Sequence, residues 1–297
     1  MEIKNDIYQK QNTELFIERF RAQGHIYDKA KVYANFVVVI SIIVVFGLAV
    51  SKFLLPEVEV LKSVSVIYGI ISTIVCFILE SNRKRQKNLA ARIQQLIDCE
   101  LFDISWWKNW GKKPSLEDIQ DAAKDEKPDR YYNWYDSAIQ EVSKQVATVI
   151  CFRSNIMYDH RLRRRYLNHC HWFFWVVVIV LLALCIFWNF TILDILIYGA
   201  APALPIIMMY VKTWVAKVSD TKNLEQIRSD LEQMQERMLA GETIPTDENL
   251  FIQDAIFTHR KNSFFIPSFF YRRYRNENEE SMHAFASRLA EQLKSCK

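Results

Sequence analysis

The chain has 297 residues, of which 51% are hydrophobic and 24% are charged, and its formal net charge is +4. So small a charge does not indicate a protein that binds a nucleic-acid polymer, and six glycines leave little room for a glycine-rich phosphate loop. The hydrophobic residues are gathered into runs with basic residues beside them, and this grouping carries more information than the averages.

Four uncharged runs have lengths close to the roughly 20 residues that cross a bilayer as a helix. They cover residues 32–51, 63–79, 171–190 and 195–211. The second and fourth are near the lower limit of about 17 residues, for which a buried helix of a soluble protein is the alternative. Because the runs form two close pairs, they predict an all-α integral membrane protein with four transmembrane helices in two hairpins and helical cytoplasmic extensions.

The basic residues predict the orientation of these hairpins. Arg83, Lys84, Arg85 and Lys87 follow the second run and an arginine cluster precedes the third, whereas the links within each pair carry few basic residues. The positive-inside rule therefore predicts that both termini and the middle segment are cytoplasmic. The predicted parts are an N-terminal helix (1–31), a first transmembrane hairpin (32–79), a cytoplasmic helical domain (80–168), a second transmembrane hairpin (169–211) and a C-terminal helical region (212–297).

Apolar positions at intervals of three and four predict helices outside the four runs. These stripes occupy residues 89–97, 135–149, 224–238 and 282–293. A break is predicted at Trp110-Gly111, a helix start at Pro114-Ser115 and a helix end at Ala240-Gly241. No segment alternates with period two for long enough to indicate a sheet.

The sequence contains no pattern typical of an enzyme. The phosphate-loop, dinucleotide-binding, nucleophile-elbow and zinc-protease motifs are all missing. His169, Cys170 and His171 lie together but have no further ligands at zinc spacing. The six cysteines show no C-x-x-C pair, which indicates reduced thiols. We therefore expect no enzymatic activity, no cofactor and no metal.

Two groups of residues are candidates for ligand binding. An aromatic group can stack nucleobases, with ordinary core packing as the alternative; it comprises Trp106, Trp107, Trp110 and Trp134 with Arg130 and Tyr131. An arginine group can grip phosphates, because guanidinium matches phosphate bidentately. This second group comprises Arg161, Arg163, Arg164 and Arg165, and a charge anchor beside the membrane is its alternative reading.

The fourth run contains a candidate gate or pore segment. Small residues allow helices to approach closely and proline removes backbone hydrogen bonds, so a kinked helix is expected here. The candidate residues are Asp194, Tyr198, Gly199, Pro202 and Pro205, and tight packing without gating is the alternative. No charged residue lies deep within any run, which argues against an ion-coupled carrier. Four helices fill their own core, so a conducting path would require a homo-oligomer.

Several short elements are spread along nearly the whole chain: Gln11-Asn12, ARIQQ at 91–95 with Asp98, Trp106-Trp107, NWYD at 133–136, CFRSN at 151–155, the segment 159–166, and IPSFFY at 266–271. Together they resemble the SMODS-associated four-transmembrane effectors of bacteria. The order of these elements is more informative than any one of them.

This resemblance implies a pore-forming effector of an anti-phage system in the bacterial inner membrane. Such an effector acts beside a nucleotidyltransferase whose cyclic nucleotide messenger triggers membrane leakage, and the infected cell dies or stops growing. The implied partners are the lipid bilayer, the messenger and further copies of the chain. The alternative function is a membrane-anchored sensor or scaffold that recruits a cytoplasmic partner without forming a pore.

Overall fold

The computed structural model describes residues 3–54, 59–124, 131–187 and 201–294, and every regular element within these ranges is helical. The α-helices are α1 (Ile7–Gln11), α2 (Glu14–Leu54), α3 (Glu59–Phe102), α4 (Leu116–Ala123), α5 (Lys144–Phe187), α6 (Ala201–Leu239), α7 (Thr246–Asn262) and α8 (Ser268–Lys294). Two 3₁₀ helices cover Lys108–Trp110 and Ser137–Glu141. The predicted boundaries after residues 31, 79, 168 and 211 fall inside the continuous helices α2, α3, α5 and α6.

The parts of the apolar runs that the structure describes lie within long helices that continue into charged sequence, as α3 does after residue 79. Across residues 3–54, 59–124, 131–187 and 201–294, no helix combines the length and the apolar character that crossing a membrane requires. Such a helix needs about 20 consecutive, predominantly apolar residues. On this finding, two predictions are wrong. The first is that the chain has four transmembrane helices in two hairpins. The second is that it is a multi-pass protein of the inner membrane with both termini cytoplasmic. The predicted link at residues 189–194 lies outside the described residues.

The chain forms two compact units, which we call the α2–α3 unit (Gln9–Trp134) and the α5–α8 unit (Met1–Tyr8 with Tyr135–Lys297). In the α2–α3 unit, α2 packs along α3 and α4. Alanines at the contact let the long helices approach closely, and Ala22, Ala30, Ala90 and Ala91 are fully buried. Arg19 of α2 adds an ion pair to Glu100 of α3, with 2.5 Å between Nη1 and Oε2.

A reciprocal pair of hydrogen bonds joins the two ends of the α2–α3 unit. The side-chain amide of Asn12 donates to Oδ1 of Asn133 over 3.0 Å, and the backbone N–H of Asn133 donates to Oδ1 of Asn12 over 2.8 Å. Asn133 adopts a left-handed backbone conformation with φ 56°, which asparagine tolerates better than most residues. Two of the family-like elements, Gln11-Asn12 and NWYD, therefore meet in this contact.

In the α5–α8 unit, α5 packs against α6 and α8, and α6 packs against α7. The chain's first residues belong here because the side-chain amide of Asn5 donates to the carbonyls of Ile139 (2.6 Å) and Val142 (2.9 Å). Asp136, the last residue of the NWYD element, caps the second 3₁₀ helix by accepting from the N–H of Ala138 over 2.8 Å. Its carboxylate also contacts His283 and Ser287 of α8, at 3.2 and 3.0 Å.

Two of the predicted helix ends are confirmed. The hydroxyl of Ser115 accepts from the N–H of Asp118 and caps the start of α4. Helix α6 ends at Leu239, and the N–H of Glu242 donates to the carbonyl of Arg237 across Gly241, whose φ of 83° suits glycine.

The prediction that the apolar stripe at residues 135–149 forms a single helix is wrong. Residues 135–143 hold the Asp136-capped 3₁₀ helix, and α5 begins only at Lys144.

Candidate functional site

Three of the predicted aromatic residues come together in the α2–α3 unit. Trp106 and Trp107 both lie edge-on against Trp110, with ring centroids 5.6 and 6.2 Å away, and Trp110 is only 3% exposed. The indole N–H of Trp106 donates to the carbonyl of Gly111 over 2.9 Å. Edge-to-face packing of this kind stabilises a loop by filling space between rings. Neither ring lies parallel to that of Trp110, and base stacking by this trio stays a prediction.

The remaining aromatic candidates occupy other places. Tyr131 is stacked on Phe20 of α2, with centroids 6.5 Å apart and an interplanar angle of 5°. Trp134 is half-buried at the end of the same unit, and Arg130 lies outside the described residues.

The arginine group on α5 is divided between different surroundings. Arg163 is buried, with 7% of its surface exposed, whereas Arg161 and Arg164 are exposed. Arg165 forms a two-pronged ion pair with Glu277 of α8, one contact of which measures 2.8 Å, and its guanidinium lies 5.1 Å from the Tyr274 ring. These neighbouring arginines therefore differ in burial and in ion-pair partners, because successive residues of a helix point in different directions.

Arg163 belongs to a largely buried cluster that we call the Asp–His–Arg network, formed by Asp159, Arg163, Asp220 and His259. The Nε of Arg163 donates to both oxygens of Asp159 at 2.9 Å, and its Nη1 donates to Oδ2 of Asp220 at 2.9 Å. The same nitrogen donates to the carbonyl of Phe264 over 2.8 Å. His259 completes the network, with Nε2 at 2.8 Å from Asp159 and Nδ1 at 3.1 Å from Asp220.

The charges of this network balance when His259 is protonated, since two carboxylates then face two cations. Burial acts to lower the pKa of His259, but the hydrogen bond to Asp159 and the nearby carboxylate of Asp220 raise it above its ordinary 6.5. Burial acts to raise the pKa of Asp159, yet the charge of Arg163 and the hydrogen bond from His259 bring it well below its usual range. The network ties α5, α6 and α7 together.

The raised pKa of His259 predicts a pH-dependent stability. A group with a raised pKa in the folded state stabilises the fold fully below its unfolded value, here 6.5, and loses this contribution as the pH rises through the folded value. We expect the free energy of unfolding, measured by urea titration, to decline as the pH is raised above 6.5. His259→Gln should remove most of this decline. An equal decline in the variant would show that another group causes it.

A cleft in the α5–α8 unit, which we call the basic cleft, is lined by residues of α5, α6 and α8. Its volume is about 200 Å³. Its basic side chains are Arg153, His160 and Arg161 from α5 and Arg228 from α6. Ile156 and Leu231 contribute apolar wall. Of the predicted arginine group, only Arg161 lines this cleft.

Ion pairs and an aromatic ring hold the basic side chains of the cleft in place. One oxygen of Glu232 accepts from Nη2 of Arg153 and from Nε of Arg228, each at 3.0 Å. The guanidinium of Arg153 lies 5.0 Å from the centre of the Phe285 ring. His160 faces Glu225, with 3.3 Å between Nε2 and Oε1. Arg161 has no ion pair with any residue that the structure describes.

Sequence reasoning missed Arg153, His160, Arg228 and Phe285. Arg153, His160 and Arg161 are spaced i, i+7, i+8, so they share one helical face, and this spacing was available as a signal. Arg228 and Phe285 lie on other helices, and no local pattern connects them to α5.

Most of the predicted gate residues lie outside the part of the chain that the structure describes. Asp194, Tyr198 and Gly199 lie outside the described residues, and Pro202 and Pro205 are in the first turns of α6. The gating role stays a prediction. Within the described ranges, no group of three or more His, Cys, Asp or Glu side chains is placed to hold a metal ion.

Apolar side chains form exposed faces on three long helices. On α3 the face repeats at intervals of three and four, through Ile67, Ile70, Ile74 and Phe77, the last of which is 76% exposed. On α5 it runs through Trp172, Val176, Ile179 and Phe187, and on α2 through Val32, Phe36 and Val39. Extended apolar surfaces of this kind mark contacts with lipid or with other proteins.

Comparison with known proteins agrees with the resemblance seen in the sequence. The family model of the SMODS-associating 4TM effector domain matches residues 5–289. A "probable CBASS effector molecule" of Bacillus cereus (strain VD146) is 26% identical over 292 residues, which is 95% of this chain and 97% of that protein. No solved structure matches. With the family model covering nearly its whole length, the chain belongs to the SMODS-associating 4TM effector domain family.

Proposed function

We propose that this chain is an effector of an anti-phage defence system that permeabilises a lipid bilayer when a cyclic nucleotide messenger binds. The family is described as an effector domain, and a relative of nearly equal length is named a probable CBASS effector molecule. A partner nucleotidyltransferase supplies the messenger. The activity is non-enzymatic, acts through several copies of the chain, and kills or arrests the infected cell.

The observation that carries the proposed activity is the set of exposed apolar faces on α2, α3 and α5. Helical faces that leave Phe77 of α3 76% exposed and Phe187 of α5 78% exposed are costly in water, because each large apolar side chain is worth about 1.5–3 kcal/mol when buried. Contact with acyl chains removes this cost. Lipid contact by these faces, followed by association of copies, disturbs the bilayer.

The test is dye release from liposomes that contain the purified full-length chain. We expect release to rise when one member of a panel of cyclic di- and trinucleotides is added, and to stay low with the linear dinucleotides as controls. Protein-free liposomes control for an effect of the nucleotides alone. Absence of release with every nucleotide, together with harmless overexpression in bacteria, would contradict the proposal. Messenger binding without release would favour the alternative, a sensor that recruits a partner.

A further inference from the structure

The basic cleft has an excess of positive charge over its own counterions. Arg153, Arg161 and Arg228 carry three positive charges, against two carboxylates: Glu232, which pairs with Arg153 and Arg228, and Glu225, which faces His160. Burial, and then repulsion by Arg228, lower the pKa of Arg153 against the opposing effect of Glu232. The side chain best placed to use a further anion is Arg161, which is exposed at the cleft's rim.

The side chains of the cleft are positioned before any ligand arrives. The Phe285 ring and Glu232 together fix the Arg153 guanidinium, and Glu232 also fixes that of Arg228. Fixed guanidinium groups lose less conformational freedom on binding than free ones, and their planar donors suit phosphate oxygens.

The size of the cleft limits what it holds. Its volume of about 200 Å³ is below the 300–1,000 Å³ or so of pockets that enclose a whole drug-sized ligand. One phosphate group with an adjoining part of a sugar fits, and the rest of a larger molecule remains outside. The apolar wall of Ile156 and Leu231 suits the carbon face of the sugar.

From these features we infer that the basic cleft is the site that grips a phosphodiester group of the activating messenger. This assignment rests on the proposed function for the identity of the ligand. The phosphate lies between Arg161 of α5 and Arg228 of α6 and competes with Glu232 for the guanidinium groups of Arg153 and Arg228.

The basic cleft is connected to exposed apolar residues through helices α5 and α6. Trp172, where the exposed face of α5 begins, is 11 residues beyond Arg161, which is about 16 Å along the same helix. Helix α6 carries Arg228 and, nearer its beginning, the exposed Val215. A ligand that bridges Arg161 and Arg228 changes the contact between α5 and α6, and both helices transmit that change towards their apolar ends.

The experiment measures binding and dye release with the same full-length protein. The probes for binding by calorimetry are cyclic di-AMP, cyclic di-GMP, cyclic GMP–AMP, a cyclic triadenylate, inorganic phosphate and pyrophosphate. We expect Arg161→Ala and Arg228→Ala each to weaken binding of the active probe about tenfold, since a hydrogen bond to a charged group is typically worth a factor of this size. The midpoint of dye release should shift by the same factor.

Two matched controls and one opposite change sharpen the test. Arg164→Ala, on the same helix, and Arg288→Ala, exposed on α8, should leave the dissociation constant within about twofold of the parent value. Glu232→Gln should tighten binding about threefold, because it removes the internal competitor of the phosphate. A merely structural role of these residues would not produce a gain in affinity. Thermal unfolding of each variant establishes that it is folded.

The outcomes separate this inference from the proposed function. If a nucleotide triggers release equally well in Arg161→Ala, Arg228→Ala and the parent, the cleft assignment fails and the proposed function stands. If binding depends on both arginines but no probe causes release, the assignment stands and the permeabilising function fails. If no probe binds, inorganic phosphate and pyrophosphate included, the assignment fails.

Discussion

Arg163→Ala is expected to destabilise the protein by about 3–5 kcal/mol, the cost typical of removing one partner from a buried ion-pair network. The substitution leaves Asp159 and Asp220 facing each other's charge at a largely buried site, with His259 as the remaining cation. It also removes the guanidinium that lies 4.7 Å from the Phe264 ring. Urea unfolding of the parent and the variant measures the difference.

The neighbouring arginine provides a matched control. Arg164 is exposed on the same helix, and Arg164→Ala should change the free energy of unfolding by no more than about 0.5 kcal/mol, as is usual for surface substitutions. Equal losses in the two variants would contradict the structural role of the Asp–His–Arg network. A small loss in both would mean that Arg163 is available to a ligand, as the sequence alone suggested.

The second large effect concerns the apolar face of α3. The double variant Ile70→Asp with Phe77→Asp should reduce messenger-triggered dye release about tenfold or more, because one aspartate moved into hydrocarbon costs roughly 2.5–3.5 kcal/mol. Both side chains are exposed in the folded chain, at 58% and 76%, so the substitution removes little packing within the protein. Binding of vesicles, measured by flotation, should fall together with dye release.

Phe251→Asp is the control for this variant. Phe251 lies on α7 and is 68% exposed, but it is not part of the faces on α2, α3 and α5. Adding a negative charge there should leave flotation and dye release unchanged. If Phe251→Asp reduces flotation and dye release as much as the α3 variant does, the reduction is caused by the change in net charge and not by loss of contact between α3 and lipid.

The local signals in the sequence predicted the helices well. Ser115 with Glu117 and Asp118 marked the start of α4, and Ala240-Gly241 marked the end of α6, because capping depends on residues within one turn. The error at residues 135–143 has a tertiary cause. Asp136 is held by His283 and Ser287, about 150 positions away, and apolar spacing alone does not report such a contact.

The candidate site was only partly predictable for the same reason. The arginine cluster was visible in the sequence, but the separation of Arg161 from Arg163 depends on which helix lies against each side of α5. Asp220 and His259, which bury Arg163, come from α6 and α7, and Arg228, which shares the cleft with Arg161, comes from α6. The apolar runs were found in the sequence, but no helix of the described residues is long and apolar enough to cross a membrane.

A spin label at residue 77 tests most directly whether the apolar faces contact lipid. The label is attached to Phe77→Cys in a background without the native cysteines, in protein reconstituted into vesicles, with Phe251→Cys as the reference. If the α3 face contacts lipid, residue 77 will be more accessible to oxygen, which dissolves in hydrocarbon, than to a water-soluble nickel chelate, and residue 251 will show the opposite order. Higher accessibility of residue 77 to the nickel chelate than to oxygen would contradict contact between this face and lipid.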